Sequence, residues 1–189
     1  MSSKEEANYC ATLLREGQII AYPTDTIWGI GCHAYLADAC ERIADLKGRA
    51  VEKTMILLVA DLEMLMRYVP KLSPKMQALH DYHTRPVTVV YDTPHDLPPH
   101  LLASDGSVAI RIARDEFCQN LIRTLDAPII STSANLSGQP APAHFDEVTR
   151  DILDNVDYVV EHRRLDRTTA LPSTIVRLTA KGDLMVLRP

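Results

Sequence analysis

The stretch APIISTSANLSG, Ala127 to Gly138, decides how this chain is read. Its first part, Ala127-Pro128-Ile129-Ile130, is a short apolar run of the kind that makes a fully buried strand. Its second part brings the hydroxyls of Ser131, Thr132, Ser133 and Ser137, the amide of Asn135, and then Gly138. A strand-to-helix connection needs one capping hydroxyl, so the surplus calls for another purpose. In open α/β sheets the crevice beyond the strand ends is the usual ligand site. Hydroxyls and backbone amides leaving a strand there could hold phosphate oxygens in a nest-like loop; the alternative is an ordinary Ser/Thr-rich connection.

Helical and extended patterns interleave around this stretch. Ser3-Lys4-Glu5-Glu6 resembles a capping box and precedes Ala7, Cys10, Ala11 and Leu14 at helical spacing, with Gly17 as the stop. QIIAY (18–22) reads as a buried strand ending at Pro23, and Leu36, Cys40, Ile43 and Lys47 mark a helix closed by Gly48. MILLV (55–59) is a strand, helices follow near 61–67 and 73–83, and the β-branched PVTVVY (86–91) is another strand. Residues 92–107 read as a long surface loop and SVAIRI (107–112) as a strand. Asp115 can cap a helix carrying Phe117, Leu121, Ile122 and Leu125. A helix over 144–154 and the short strands YVV, STIVRL and LMVL complete the chain. The order predicts an α/β fold: a mixed twisted open sheet with helices packed on it, one domain over 1–189.

Composition narrows the function classes. The chain has 189 residues, 46% hydrophobic and 24% charged, with a net charge of −5. That charge argues against attachment to nucleic acid by bulk electrostatics, although a local basic patch is compatible with it. No apolar signal core or membrane-length run is present, so a cytoplasmic protein with no membrane partner is expected. The 4 cysteines are scattered and read as reduced, packed thiols. His80 and His83 lie three apart with no Cys or carboxylate set beside them, and no protein-ligated metal is expected.

Three more segments gather polar groups near predicted strand ends. YPTDTIWGIG (22–31) supplies Thr24, Asp25 and Thr26, either as a turn satisfying its own backbone or as ligand contacts. LKGRAVEK (46–53) places Lys47, Arg49 and Lys53 at a helix C-terminus, where cations are electrostatically favoured. Gly48 could aim Lys47 and Arg49 at one anion, and an Arg fork with a Lys point charge suits phosphate. LPSTIVRL (171–178) opens a strand with Ser173 and Thr174. Arg111, inside SVAIRI, is either the outward residue of an alternating strand or a cation reaching into the crevice. Neither G-x-x-x-x-G-K-[ST] nor G-x-G-x-x-G nor G-x-S-x-G occurs, so standard nucleotide loops and a serine-hydrolase elbow are excluded.

Taken in order, Pro23–Gly31, Lys47–Arg49, Ser131–Gly138 and Ser173–Val176 resemble the motifs of the YrdC-like family, the threonylcarbamoyl-AMP synthases. The resemblance implies a YrdC-like domain without the extra C-terminal domain that some members carry. It implies an enzyme that joins L-threonine, bicarbonate or CO2, and ATP into threonylcarbamoyl-AMP and pyrophosphate, with Mg2+ accompanying ATP. Partner proteins would then transfer the threonylcarbamoyl group to tRNA. By the same resemblance Lys47 and Arg49 are the catalytic, triphosphate-binding pair. Lys53, Ser107, Ser133, Asn135, Ala141 and Arg188 join them on ATP, and Thr26, Arg111, Ser131 and Ser173 hold threonine. Lys47→Ala and Arg49→Ala are each expected to reduce ATP-dependent activity strongly without unfolding the chain.

Some positions depart from the family pattern. Trp28 replaces a Tyr or Phe as a planar wall, Thr54 a Pro, Arg85 a Gly, and Leu58 a His that contacts threonine in some relatives. Two alternatives stay open: a same-fold paralogue with another activity, and a non-catalytic module binding double-stranded RNA through Lys47, Arg49, Lys53, Arg111 and Arg188. The cations serve either reading; a threonine-sized pocket serves only the synthase.

Overall fold

The computed structural model describes residues 1–48, 55–178 and 183–189. Helix α1 (Ser3–Arg15) is capped by Ser2, whose hydroxyl accepts the Glu5 amide at 3.3 Å while the Glu5 carboxylate accepts the Ser2 amide at 2.7 Å. The capping box is therefore Ser2–Glu5, one residue earlier than the sequence suggests. Glu6 is committed elsewhere. Buried at 3% exposure, it accepts hydrogen bonds from the Tyr158 hydroxyl and from the Glu161 and His162 amides. Ala7, Cys10, Ala11 and Leu14 face the core as their spacing requires.

Nine strands make one sheet among the described residues. They are β1 (Ile20–Tyr22), β2 (Gly29–His33), β3 (Ile56–Val59), β4 (Val87–Tyr91), β5 (Val108–Ile112), β6 (Ile129–Ser133), β7 (Tyr158–Val159), β8 (Thr174–Leu178) and β9 (Leu184–Arg188). Their order is β7-β1-β2-β6-β3-β5-β4-β8-β9. The pairs β1–β7, β3–β5 and β4–β8 are parallel and the rest antiparallel, the mixed sheet that the irregular element order implies. The remaining helices are α2 (Ala37–Leu46), α3 (Leu62–Tyr68), α4 (Pro74–Tyr82), α5 (Glu116–Leu125) and α6 (Arg150–Leu153). Asp115 caps α5 by accepting the Cys118 amide at 3.0 Å.

Register assigns each residue to a face. Gly29, Gly31, Ile56, Ala109, Arg111, Ser131 and Ser133 share one face. Ile30, Cys32, Leu57, Ile110 and Ile130 share the other, where α2 packs with the Cys40 sulfur 3.7 Å from that of Cys32. Cys10, Cys32, Cys40 and Cys118 are all free thiols and all buried, as expected.

Four elements differ from the sequence reading. The strand β2 hides in GIGCH because glycine weakens strand propensity. Its glycines answer to packing: a Cβ on Gly31 would sit 2.8 Å from the Ile130 carbonyl oxygen and 2.9 Å from the Tyr22 ring. Gly31→Ala is expected to cost about 1–3 kcal/mol, the range for overpacking a core, read as a lower urea midpoint. Next, β6 does not stop at Ile130. Ser131, Thr132 and Ser133 pair with Gly31, Ile30 and Gly29, so they are ladder residues and not the nest-like loop proposed for them. The span 144–154 divides into a 3-10 turn, Phe145–Glu147, and α6, because Val148 turns to extended backbone and buries its side chain. Finally, the 92–107 connection contains a 3-10 turn, Pro99–Leu101, anchored by buried Leu101.

On α4, His80 lies within hydrogen-bond distance of the Tyr91 hydroxyl, Nε2 to Oη 2.9 Å. Burial holds its imidazole below the ordinary value of 6.5, with smaller opposed effects from Asp81 and Arg114. The folded state thus resists a proton that the unfolded chain accepts. This contribution to stability is complete above 6.5 and is lost as pH falls below it. The urea midpoint is expected to drop between about pH 7 and about pH 5, and His80→Gln to make that drop shallower.

Candidate functional site

On the sheet face that carries Arg111 lies a cavity of about 370 Å³. Its lining combines Thr24, Thr26, Ser131, Thr132, Ser133 and Ser173 with Arg111 and Arg188. Apolar surface comes from Ile27, Ile56, Val90, Ala109, Ala141, Pro172, Ile175 and Leu187. Among the described residues this lining contains two guanidinium groups and no carboxylate. Such a chamber attracts anions and offers neutral donors to orient them.

Arg111 is placed by strand alternation and is only 5% exposed. Of its two sequence readings, the structure selects the inward one. Its Nη1 donates to Thr26 Oγ1 at 2.9 Å, and its Nη2 lies 3.4 Å from Asp25 Oδ1. The Asp25 side chain is 8% exposed, and neither of its oxygens accepts a hydrogen bond among the described residues. A buried charge stays buried only when it is paired, so Asp25 serves as the counter-ion that lets Arg111 remain inside. A guanidinium has five donor hydrogens, and the Thr26 bond leaves capacity for an anion in the cavity.

The loop between β1 and β2 forms the turn that PTDT suggests and also brings Thr24 and Thr26 to the cavity lining. Thr24 Oγ1 accepts the Thr26 amide at 3.0 Å and donates to the Ile27 carbonyl at 2.8 Å, as a hydroxyl turn does. Thr26 is thereby turned toward Arg111. Beneath the cavity, the Tyr22 hydroxyl donates to Ser131 Oγ at 2.8 Å. Burial pushes the Tyr22 phenol well above its ordinary value. It therefore stays protonated and leaves the Ser131 hydroxyl proton free for an acceptor in the cavity.

The far wall is built by β8 and β9. Ser173 Oγ shares a hydrogen bond of 2.7 Å with Thr88 Oγ1. Arg188 donates to the Ser173 carbonyl from Nε at 3.1 Å and from Nη2 at 2.8 Å, and to Ser173 Oγ at 3.2 Å. Desolvation, and then the nearby Arg111 charge, lower the Arg188 guanidinium from its usual value. It remains a cation at neutral pH all the same.

Lys47, the residue after α2, is 1% exposed and stands behind the end of β6. Its Nζ donates to the Ser133 carbonyl at 2.5 Å, to the Asn135 carbonyl, and to Asn135 Oδ1 at 3.2 Å. Asn135 Nδ2 in turn donates to the Leu136 carbonyl at 3.0 Å and the Gln139 carbonyl at 2.7 Å. The ammonium thus fastens the polar turn that opens the sequence reading.

Of the residues expected at the site, Thr26, Arg111, Ser131, Ser133, Ala141, Ser173 and Arg188 meet in one lining. Lys47 and Asn135 adjoin it through Ser133. Ser107 is absent from the lining; its hydroxyl donates to Asp105 Oδ1 at 2.6 Å, and Asp105 pairs with Arg177 at 3.0 Å. Arg49 and Lys53, with Thr54, lie outside the described residues. Trp28 is not a wall of this cavity, because it packs on Phe145 with ring centroids 5.0 Å apart. Leu58 is fully buried opposite Arg111 and Ile129. Sequence reasoning missed Tyr22 and Thr88 as supports, and Asp25 as the partner of Arg111. The strand pattern exposes Thr88, since it is the one polar residue within VTVV; the other two needed the pairing of distant strands.

The Sua5/YciO/YrdC family model, described as telomere recombination, matches residues 12–189. A protein of Cellvibrio japonicus named threonylcarbamoyl-AMP synthase is 34% identical over 160 residues, 84% of this chain and 84% of that one. The crystal structure of Pyrococcus abyssi Sua5 complexed with L-threonine superposes with a TM-score of 0.86 at 26% identity, over 98% of this chain and 54% of Sua5. Escherichia coli YciO shares the fold, with a TM-score of 0.82 at 24% identity over 98% of this chain and 89% of YciO.

Proposed function

The chain belongs to the Sua5/YciO/YrdC family, and from that premise we propose that it is an L-threonylcarbamoyladenylate synthase. It makes threonylcarbamoyl-AMP and pyrophosphate from L-threonine, bicarbonate or CO2, and ATP. The observation that carries this reading is the cavity of about 370 Å³ with two guanidinium groups, six hydroxyl-bearing residues and no carboxylate in its described lining. That chemistry suits an anionic amino acid beside a polyphosphate.

In this reading Arg111 takes the threonine carboxylate, steadied by Asp25 and Thr26. Ser131 and Ser173 bond the amino acid's remaining polar atoms. The threonine amine, once neutral, adds to CO2 and loses a proton, giving a carbamate. A carbamate oxygen then forms a bond to the α-phosphorus of ATP while the bond from that phosphorus to the bridging oxygen breaks, releasing pyrophosphate. Such transfer depends mainly on alignment and on neutralising charge. Arg188 and the Lys47-braced turn at Ser133 and Asn135 supply alignment at the nucleotide side, with Arg49 and Lys53 as further candidates. The lining offers no carboxylate, so the described residues do not suit a protein-held Mg2+ ion. The ion travels with ATP as part of the substrate, held by phosphates and water. The product then passes to proteins that modify tRNA.

The test is pyrophosphate release from ATP, Mg2+ and bicarbonate, with and without L-threonine. Threonine-dependent release, much weaker with serine, supports the synthase. Release indifferent to threonine favours a paralogue. No release, together with RNA affinity that falls steeply with salt, favours the RNA-binding module.

A further inference from the structure

Arg163 lies outside the cavity lining, yet it holds the loop on which the cavity depends. Its backbone is left-handed, φ 61°, a conformation that a side chain this large seldom adopts. Such geometry persists only where the surroundings enforce it, and here they do so from several sides. Just before it, the Glu6 carboxylate accepts the Glu161 amide at 2.6 Å and the His162 amide at 3.0 Å. The Arg163 guanidinium then turns inward. Its Nη1 donates to the Thr24 carbonyl at 3.0 Å and to Asp115 Oδ2 at 3.1 Å, and its Nε donates to Asp166 Oδ2 at 2.9 Å.

The Thr24 carbonyl is the consequential partner. The hydroxyl of the same residue makes the turn that orients Thr26, and Thr26 receives the Arg111 bond. Asp115 completes the frame, since its other oxygen caps α5. One guanidinium therefore ties the loop between β1 and β2 to the start of α5 and to the 161–166 segment. A loop so tethered holds its hydroxyls and Arg111 in place before substrate arrives, which reduces the ordering needed on binding.

We propose that Arg163 is a positioning residue for the amino-acid half of the site, acting through the Thr24 carbonyl on Thr26 and Arg111. The effect on threonine rests on the synthase reading; the effect on the loop does not. Arg163→Gly is the informative variant, because glycine accepts the left-handed backbone and removes only the clamp. Arg163→Lys keeps the charge but loses the planar fork.

The experiment pairs hydrogen exchange with kinetics on the full chain. In Arg163→Gly, amides of residues 24–28 are expected to exchange faster than in the wild type, while those of α1 keep their protection. The KM for L-threonine should rise about tenfold with the KM for ATP unchanged, and Arg163→Lys should fall between the two. Unchanged exchange at 24–28 overturns the clamp whatever the activity. Faster exchange with an unchanged threonine KM, or with threonine and ATP KM values rising together, overturns its role in amino-acid binding. If the wild type shows no threonine-dependent turnover, the synthase reading fails, and the clamp is decided by the exchange data alone.

Discussion

Replacing Arg111 with Lys is expected to raise the KM for L-threonine by about a hundredfold, the equivalent of about 2.7 kcal/mol lost from a buried charged contact. Lysine keeps the charge and loses the fork, so it cannot bond Thr26 Oγ1 and an amino-acid carboxylate together. Arg111→Ala carries a second consequence. It leaves Asp25 buried, 8% exposed, without its counter-ion. Breaking such a pair costs about 3–5 kcal/mol of stability. Adding Asp25→Asn removes the stranded charge, so the double variant should regain stability while threonine binding stays lost. Threonine titrations by calorimetry, alongside urea midpoints, separate the two effects. A threonine KM in Arg111→Lys equal to the wild type would remove Arg111 from the substrate.

Lys47→Met is expected to lower pyrophosphate release about a hundredfold, as the turn that Lys47 braces at Ser133 and Asn135 loses alignment. It should also lower stability, short of unfolding the chain. At 1% exposure the ammonium bonds the carbonyls of Ser133 and Asn135. Methionine preserves much of the stem and leaves the Asn135 carbonyl without that donor, at about 1–3 kcal/mol, while the Ser133 carbonyl keeps the Asn135 amide at 2.9 Å. The same loss applies to Lys47→Ala, which adds a void. Arg49→Ala remains expected to reduce ATP-dependent activity strongly. Full turnover by Lys47→Met that is folded by circular dichroism would sink the role given to this lysine.

These expectations draw unequally on sequence and structure. The fold class was legible because apolar runs and helical spacing interleave, and both follow from local geometry. The hydroxyl-rich stretch after Ile130 and the PTDT run were legible as clusters of polar groups near strand ends, and the structure brings Thr26, Ser131 and Ser133 into one cavity lining. The boundary of β6 was not. Serine and threonine look like loop residues until a partner strand takes their amides, and that partner, β2, was hidden by its own glycines. Gly31 is small because the Ile130 carbonyl and the Tyr22 ring press on it, a fact of distant packing.

What the sequence alone determined about this protein is its inventory: an α/β chain with a phosphate-suited Lys47 and Arg49, threonine and serine hydroxyls near strand ends, and an arginine inside an apolar strand. Tertiary structure alone decided how the inventory is used. It turned Arg111 inward, because strand register fixes which face each residue meets and because Asp25 waits there as counter-ion. It placed Lys47 behind the cavity as a fastener, since the end of α2 comes to rest against the end of β6. It also gave Arg163 a partner far away in sequence, the Thr24 carbonyl. Charge and hydrogen-bonding capacity are properties of a residue, whereas partnership depends on long-range pairing that no local pattern encodes.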